Sequence, residues 1–475
     1  MGSPRATPRA LAAALLASGA ALGACGGEGR GPLKEPSLLL VVVDTLRADH
    51  LGCYGHARPT SPFLDSLAER SVLFEDVTSA SSHTVPAVLS LLSGLHPHRH
   101  GNQYFPETNS LRAPRPRVRP LVPRGVALLA EELRAARFAT AAVVANPWLR
   151  AEYGFARGFD DYRALHGREW TAHPGGEEVN AVAGELLERF RGRRFFLYLH
   201  YMEPHAPYDP PPGPRELLAG GLEGENVYRA GPAPGLRPED LRFMHALYEA
   251  EVRAVDDRLR ELAAQLEARG LAGSTLLVIA GDHGEEFHEH RGLGHGYTLY
   301  EEVTRVPLLF SHPDLPGTPR RVRAPVAGVD LLPTLLELAG LPVPTGLDGR
   351  SLAPLVLGGE AAAEPPAERP LLSELGNQAA LRRGAGKLLR WRAPGGREDA
   401  FDLSRDPGEA RPLPEPEGAA WRAALSAELA AFLRVEAGPE GSAAAAEPGP
   451  PEPELEQRLR ALGYVEAAGG EPGEP

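Results

Sequence analysis

Ser37-Leu38-Leu39-Leu40-Val41-Val42-Val43-Asp44 is the stretch on which the fold turns. Six consecutive Leu and Val residues follow Ser37 and run straight into a carboxylate. A strand with one solvated face would alternate polar and apolar residues; this one does not. Its reading is a strand buried on both faces, the condition of a parallel sheet covered by helices above and below. Leu276-Leu277-Val278-Ile279-Ala280-Gly281-Asp282-His283 repeats the pattern. In open α/β sheets ligands collect beyond the carboxyl ends of the strands. Asp44, Asp282 and His283 are therefore candidate ligands of a cation. A lone strand-end Asp also serves as a helix cap or turn residue, so each needs company before it counts.

Outward from these strands the chain alternates between helix and strand. Helical patterns occupy Val126–Arg137, Glu177–Arg191, Pro238–Arg269 and Asp330–Ala339, and another opens at Thr60-Ser61-Pro62. Strand-like runs occupy Phe138–Ala145, Phe195–Tyr201, Ser274–Ala280 and Val306–Ser311. The fold class is α/β, a mostly parallel central sheet with helices on both faces. Pro-rich stretches at Pro106–Pro123 and Pro207–Arg237 read as surface loops. Near Pro370 the rhythm changes: Leu371–Leu375, Ala379–Trp391 and Glu398–Leu403 read as short antiparallel strands and Ala419–Val435 as a helix, a small C-terminal α+β subdomain. The implied division is a segment 1–24 removed on export, a tether 25–35, a catalytic domain 36–368, the subdomain 369–435 and a tail 436–475. Glu436–Pro453 has a composition too poor in core-forming residues to fold; Leu455–Val465 is a short amphipathic stretch within that tail.

The chain has 475 residues and a net charge of −13, which argues against nucleic-acid binding and against a basic patch docking on anionic lipid. Lys34 and Lys387 are the only lysines. Arg5 and Arg9 precede a short Ala/Leu/Gly run that is below the ~20 residues of a spanning helix. The run ends in Leu22-Gly23-Ala24-Cys25, which resembles the bacterial lipobox. That resemblance implies cleavage before Cys25, a lipid on its thiol, and a protein anchored in the bacterial periplasm or cell envelope; an ordinary signal peptide with an incidental cysteine is the other reading, and it too implies export. With Cys25 lipidated, Cys53 alone remains and no disulfide framework is available.

A third piece of chemistry lies in Ser82-His83-Thr84-Val85-Pro86-Ala87-Val88-Leu89-Ser90-Leu91-Leu92-Ser93-Gly94. Pro86 fits the first turn of an apolar helix, which puts the Thr84 hydroxyl at the helix N-terminus, where backbone N–H groups favour anions. The plain alternative is an N-cap threonine.

Together these segments resemble the sulfatase family of the alkaline phosphatase superfamily. Val43-Asp44-Thr45-Leu46-Arg47-Ala48-Asp49, Thr84–Gly101, His205-Ala206-Pro207-Tyr208 and Gly281-Asp282-His283-Gly284-Glu285 occur in the family's order. Gly154–Asp160, Arg305-Val306-Pro307, Asp330–Leu335, Asp348–Leu352 and Phe401-Asp402-Leu403 extend the match over residues 36–410. The resemblance implies that Asp44 and Asp282 are metal aspartates, that His283 stands where sulfatases carry Asn, that Thr84 is the nucleophile, and that His205 and His295 bind substrate.

The departures carry information too. Thr84 replaces the Cys or Ser that becomes formylglycine, Val88 replaces the Arg of that signature, Thr45 replaces a metal aspartate, and Ala145-Asn146-Pro147 replaces a Lys-x-His motif. The set Asp44, Thr84, Asp282, His283 instead resembles phosphorus-ester branches, phosphonate monoester hydrolases among them. There a metal lowers the pKa of the nucleophile oxygen. One divalent ion is implied, Zn²⁺ or Mn²⁺ in preference to Ca²⁺ because of the histidine. A second ion on His205, Asp209 and His295 is a further option. His96, His98, His100, His288 and His290 read as solvated or capping residues. The function implied is hydrolysis of an anionic sulfate, phosphodiester or phosphonate ester of a small molecule, glycan or lipid. The alternatives are transfer of a phospho-head-group to a lipid or glycan, and a non-catalytic binding protein on the same fold.

Overall fold

The computed structural model describes residues 33–103, 121–165, 175–227, 231–358, 369–392 and 396–434. Eight strands form the central sheet: β1 (Ser37–Val43), β2 (Val72–Phe74), β3 (Ala139–Val144), β4 (Asp161–Ala164), β5 (Phe195–Tyr201), β6 (Thr275–Gly281), β7 (Leu308–Ser311) and β8 (Arg320–Val322). Their spatial order is β8-β2-β7-β6-β1-β5-β3-β4. Only β7 runs against the others. β1 lies in the middle, and every one of its residues is buried, as the unbroken Leu/Val run requires.

The helices are α1 (Pro62–Ala68), α2 (Thr84–Ser93), α3 (Leu129–Ala135), α4 (Gly176–Arg189), α5 (Pro212–Ala219), α6 (Pro238–Ala268), α7 (Leu331–Leu338) and α8 (Glu417–Leu433). The inner faces of α1 to α7 join the strands in one hydrophobic core that runs from Leu33 to Val356. Among the described residues no helix is long and apolar enough to cross a membrane.

Two readings of the sequence are corrected. Pro207–Arg237 is not loop throughout. Pro212 occupies the first turn of α5, where its missing N–H costs nothing, and Leu218 and Ala219 are buried at the far end of that helix. The run Ala379–Trp391 is two strands, not one. Gly384 takes a left-handed φ of 57°, and the chain turns back on itself between β10 and β11. The C-terminal sheet is thus four antiparallel strands, β9 (Leu371–Leu375), β10 (Gln378–Arg383), β11 (Gly386–Trp391) and β12 (Glu398–Asp402).

Leu425 and Leu429 of α8 pack on one face of this sheet against Leu372, Leu381 and Leu388. β9 is also tied to the segment that leads into α2. The Glu374 N–H donates to the Ala80 carbonyl at 2.8 Å, Ser81 Oγ donates to the Glu374 carbonyl at 2.7 Å, and Ser373 Oγ donates to the Ser79 carbonyl at 2.6 Å. The small sheet therefore braces the approach to Thr84. Segments 1–32 and 435–475, with Cys25 and the amphipathic stretch Leu455–Val465, lie outside the described residues, as does most of the first Pro-rich stretch.

Candidate active site

Strand register brings the candidate residues together. Val43 of β1 pairs with Tyr201 of β5 on one side and Gly281 of β6 on the other. One residue further on, Asp44 and Asp282 stand side by side at the carboxyl edge. His200 pairs with Val42, so by the two-residue period of a strand it shares a face with Asp44, one pleat deeper. Asp44, His200, Asp282 and His283 are all buried.

Each carboxylate has one oxygen tied back and one left facing the others. Asp282 Oδ1 accepts from the backbone N–H groups of Thr45, at 3.2 Å, and His283, at 2.8 Å. Asp44 Oδ2 accepts from Asn146 Nδ2 at 2.6 Å. Asp44 Oδ1 and Asp282 Oδ2 are buried with no hydrogen-bond partner, as are both ring nitrogens of His200. His283 Nε2 lies 3.5 Å from each of those two oxygens. His200 Nε2 lies 3.9 Å from Asp282 Oδ2.

The His283 tautomer follows from its other nitrogen. Nδ1 is 3.0 Å from the Gly284 carbonyl, which can only accept. The proton therefore sits on Nδ1, and the Nε2 lone pair faces the carboxylates. Thr45 holds a left-handed φ of 54°, a strained conformation for a β-branched residue. In that conformation its N–H reaches Asp282, and its carbonyl accepts from the Tyr248 hydroxyl of α6 at 2.8 Å.

Thr84 is the first residue of α2, and its Oγ1 is 3.2 Å from His283 Nε2. The N-cap is His83, whose Nδ1 accepts from the Val85 N–H at 3.4 Å. Gly94, at φ 70°, closes the helix at its other end. All ten residues of α2 are buried, so the hydroxyl is held by a helix that has nowhere to move.

Electrostatics agree with a cation site. Burial, and then the neighbouring charge of Asp282, push the Asp44 carboxyl well above the usual carboxylate range. Burial acts the same way on Asp282, but the imidazoles of His283 and His200 outweigh it and hold that group down. Two adjacent buried carboxylates cannot both carry charge unless a cation joins them. The unpaired oxygens, the imidazole lone pairs and the hydroxyl fit a divalent ion. A mixed oxygen and nitrogen donor set of this kind is one that Zn²⁺ or Mn²⁺ accepts.

The sequence-predicted residues Asp44, Thr84, Asp282 and His283 thus meet at one point. His205 and His295 border it. The His295 ring centroid lies 4.5 Å from that of His283 and 4.9 Å from that of His205. His295 Nδ1 is 2.9 Å from Glu285 Oε1, and Glu285 Oε2 accepts from the Tyr208 hydroxyl at 3.1 Å. Asp209 does not join them; its side chain is 86% exposed and pairs with Arg215.

The discounted histidines are not solvated either. His96 and His100 are buried, His98 pairs with buried Glu374 at 2.6 Å, and His290 pairs with Glu302 at 2.7 Å. His98, His100 and His290 belong to packed polar contacts away from the Asp44 cluster.

Sequence reasoning missed three participants. His200 interrupts the apolar strand Phe195-Phe196-Leu197-Tyr198-Leu199-His200-Tyr201, and a buried polar residue near a strand end was the available signal. Asn146 occupies the place of the absent Lys-x-His motif. Glu285 orients His295.

The sulfatase family model matches residues 36–341, and the model described as N-sulphoglucosamine sulphohydrolase, C-terminal, matches residues 289–433. An uncharacterized sulfatase, YidJ, of Escherichia coli (strain K12) is 24% identical over 375 residues, covering 67% of this chain and 71% of that protein. The delta 4,5-hexuronate-2-O-sulfatase of Bacteroides thetaiotaomicron is 23% identical over 450 residues, covering 82% of this chain and 86% of that protein. Among solved structures, the phosphonate monoester hydrolase of Agrobacterium radiobacter superposes with a TM-score of 0.69 at 22% identity, covering 84% of this chain and 95% of that one. A protein solved with its substrate D-glucosamine-2-N,6-O-disulfate superposes with a TM-score of 0.68 at 18% identity, covering 84% and 97%. The chain belongs to the sulfatase family and is a hydrolase of that superfamily, with the class of ester it cuts left open.

Proposed function

We propose that the protein is an exported, metal-dependent ester hydrolase that uses Thr84 as its nucleophile on a sulfate, phosphodiester or phosphonate ester. The observation that carries this reading is the place of Thr84 Oγ1, at the N-terminus of a fully buried helix and 3.2 Å from His283 Nε2 within the Asp44–Asp282 cluster. Asp44, Asp282, His283 and His200 would hold one divalent ion, Zn²⁺ or Mn²⁺ rather than Ca²⁺, with Thr84 at its edge. Such an ion supplies Lewis acidity, lowering the pKa of a hydroxyl beside it and drawing charge from the transferred group.

The chain's own residues supply the rest. Thr84 is fixed by α2, so attack needs no reorganisation of the nucleophile. Thr84 Oγ1 gives up its proton to solvent, and a bond forms between it and phosphorus or sulfur as the bond to the ester oxygen breaks; water then cleaves the Thr84 ester, returning the hydroxyl and releasing the acid. His295, oriented by Glu285 and Tyr208, is placed to give the leaving oxygen its proton. His205 and His83 line the same side and are placed to bind the anionic oxygens. Threonine cannot be oxidised to the formylglycine aldehyde, and Val88 stands where that signature carries Arg. Both features favour phosphorus esters. The phosphonate monoester hydrolase above shares the fold.

Residues 1–35 support export and a Cys25 lipid anchor. Cys25→Ala should release the protein from the membrane fraction, and the mass of the mature N-terminus should carry the acyl groups.

The decisive assay offers aryl phosphonate, phosphodiester and sulfate esters to the purified protein with Mn²⁺ or Zn²⁺. Thr84→Ala should lower kcat by about 10³-fold or more while the metal content stays within a factor of two of the wild type. Equal turnover by wild type and Thr84→Ala would sink the reading.

A further inference from the structure

A second cluster of imidazoles surrounds a buried carboxylate away from Thr84. Glu249 lies on α6 with its side chain 2% exposed. His245 stands one helical turn earlier, at the i−4 spacing that puts both on one face. His50 and His56 come from the segment after β1.

Three ring nitrogens converge on a single oxygen. Glu249 Oε1 is 3.1 Å from His56 Nε2, 3.6 Å from His245 Nδ1 and 3.7 Å from His50 Nδ1. The His50 ring centroid is 5.1 Å from that of His56 and 4.8 Å from that of His245. Despite this closeness, His50 Nδ1 and His56 Nε2 make no hydrogen bond. His50 itself is 3% exposed. Arg58 pairs with the other oxygen, Glu249 Oε2, and leaves Oε1 to the histidines.

Nitrogen and oxygen atoms at such separations, without hydrogen-bond alignment, have the spacing of ligands around a common centre. A tetrahedral ion with bonds of about 2.0–2.1 Å separates its ligand atoms by roughly 3.3 Å. Burial favours neutral imidazoles, which are the form that binds metal. The donors are chiefly nitrogen, a set that Ca²⁺ and Mg²⁺ disfavour and Zn²⁺ accepts. His245 is 37% exposed on its side chain, which opens a path to solvent.

We propose that His50, His245 and Glu249, whose ligand atoms all lie within 4.8 Å of one another, form a second Zn²⁺ site distinct from the Asp44–Asp282 cluster. Its place in the fold suggests what it would hold together. Tyr248 lies between His245 and Glu249 on α6. Its hydroxyl accepts from the Arg47 N–H at 3.0 Å and donates to the Thr45 carbonyl at 2.8 Å. An ion bridging α6 to His50 would clamp the helix to the segment that follows Asp44.

The test is stoichiometry. Chelator-stripped full-length wild type, Asp282→Asn, His245→Gln and the double variant are titrated with Zn²⁺ by calorimetry, and Co²⁺ absorption reports coordination geometry. Asp282→Asn, which empties the first cluster, should still bind one Zn²⁺ with a tetrahedral Co²⁺ spectrum. His245→Gln should weaken that binding by at least about tenfold and leave the melting temperature of the stripped protein unchanged, since the side chain is partly solvated. His50→Gln should weaken it too, which keeps the test readable if His245→Gln folds badly. No Zn²⁺ on Asp282→Asn, or unchanged affinity in both histidine variants, overturns the proposal. Because the two sites share no residue, failure here leaves the reading of Thr84 standing, and failure of that reading leaves this one.

Discussion

Among the described residues, the buried cluster around Lys387 and the one around Asp44 and Asp282 are built on opposite rules. Around Lys387 the charges cancel. Its Nζ lies 2.9 Å from Glu301 and 3.0 Å from Glu409, and Arg382 lies 3.5 Å from Glu301 while also pairing with Asp76 at 2.6 Å. Around Asp44 and Asp282 they do not: two carboxylates adjoin, no Lys or Arg among the described residues pairs with either, and Asp44 Oδ1, Asp282 Oδ2 and both His200 nitrogens have no hydrogen-bond partner. A cluster that serves the fold completes itself from its own side chains, whereas a cluster that serves chemistry keeps its valences open. A buried charge left open costs stability unless something else completes it.

The largest expected effect breaks the open cluster. Asp282→Asn should lower kcat by about 10³-fold or more and remove the ion of that cluster, read by elemental analysis. The melting temperature of the stripped protein should not fall, because one of two repelling carboxylates is gone. A large fall would mean that the two clusters are not opposites at all.

Lys387→Met is the mirror case. It leaves Glu301 and Glu409 buried without their ammonium and should cost about 3 kcal/mol in denaturant unfolding. Turnover per folded molecule should be unchanged. The loss should be larger at pH 8 than at pH 6. Burial already pushes the Glu409 carboxyl up to about 7, so in acid that group is protonated and needs no partner.

His200→Gln sharpens the comparison, because it removes an imidazole that sequence did not flag. Metal affinity should fall by about 10- to 100-fold, with little change in stability when stripped. An unchanged affinity would place His200 outside the ligand set.

The smallest effect concerns His290, a structural histidine beside the closed cluster. Burial alone would lower it, but the Glu302 carboxylate prevails and raises it to about 9. Its folded value lies above the ordinary value of about 6.5. The stability it contributes is therefore complete below that value and is lost as pH rises through 9. The melting temperature should decline between pH 7 and 9.5, and His290→Gln should flatten part of that decline.

The fold was largely legible because apolar runs without alternation have few other uses. β1 and β5 span the residues their apolar patterns indicate, and α6 ends one residue short of its reading. What escaped was punctuation. Pro212 sits in a Pro-rich stretch that reads as loop although it suits a first helical turn, and Gly384 divides into a hairpin a run that reads as one strand.

At the site, Asp44, Asp282 and His283 were legible because strand ends are where a parallel sheet displays functional groups. Thr84 was legible from its helix. His200 was not, since a histidine inside an apolar strand reads as core until the register shows which residue it faces. Asn146 and Glu285 act through partners 102 and 10 residues away respectively, which no local pattern encodes.

Asp282 Oδ1 receives its two bonds from the chain just beyond β1 and just beyond β6. Asp44 and Asp282 are consequently hung on the ends of β1 and β6, two adjacent strands in the middle of the sheet. A descendant of this sequence could rewrite the segments around the mouth of the site, and with them its diet of esters, without disturbing the anvil on which the bond is cut. To lose the chemistry it would have to damage the sheet itself or give up one of a handful of side chains.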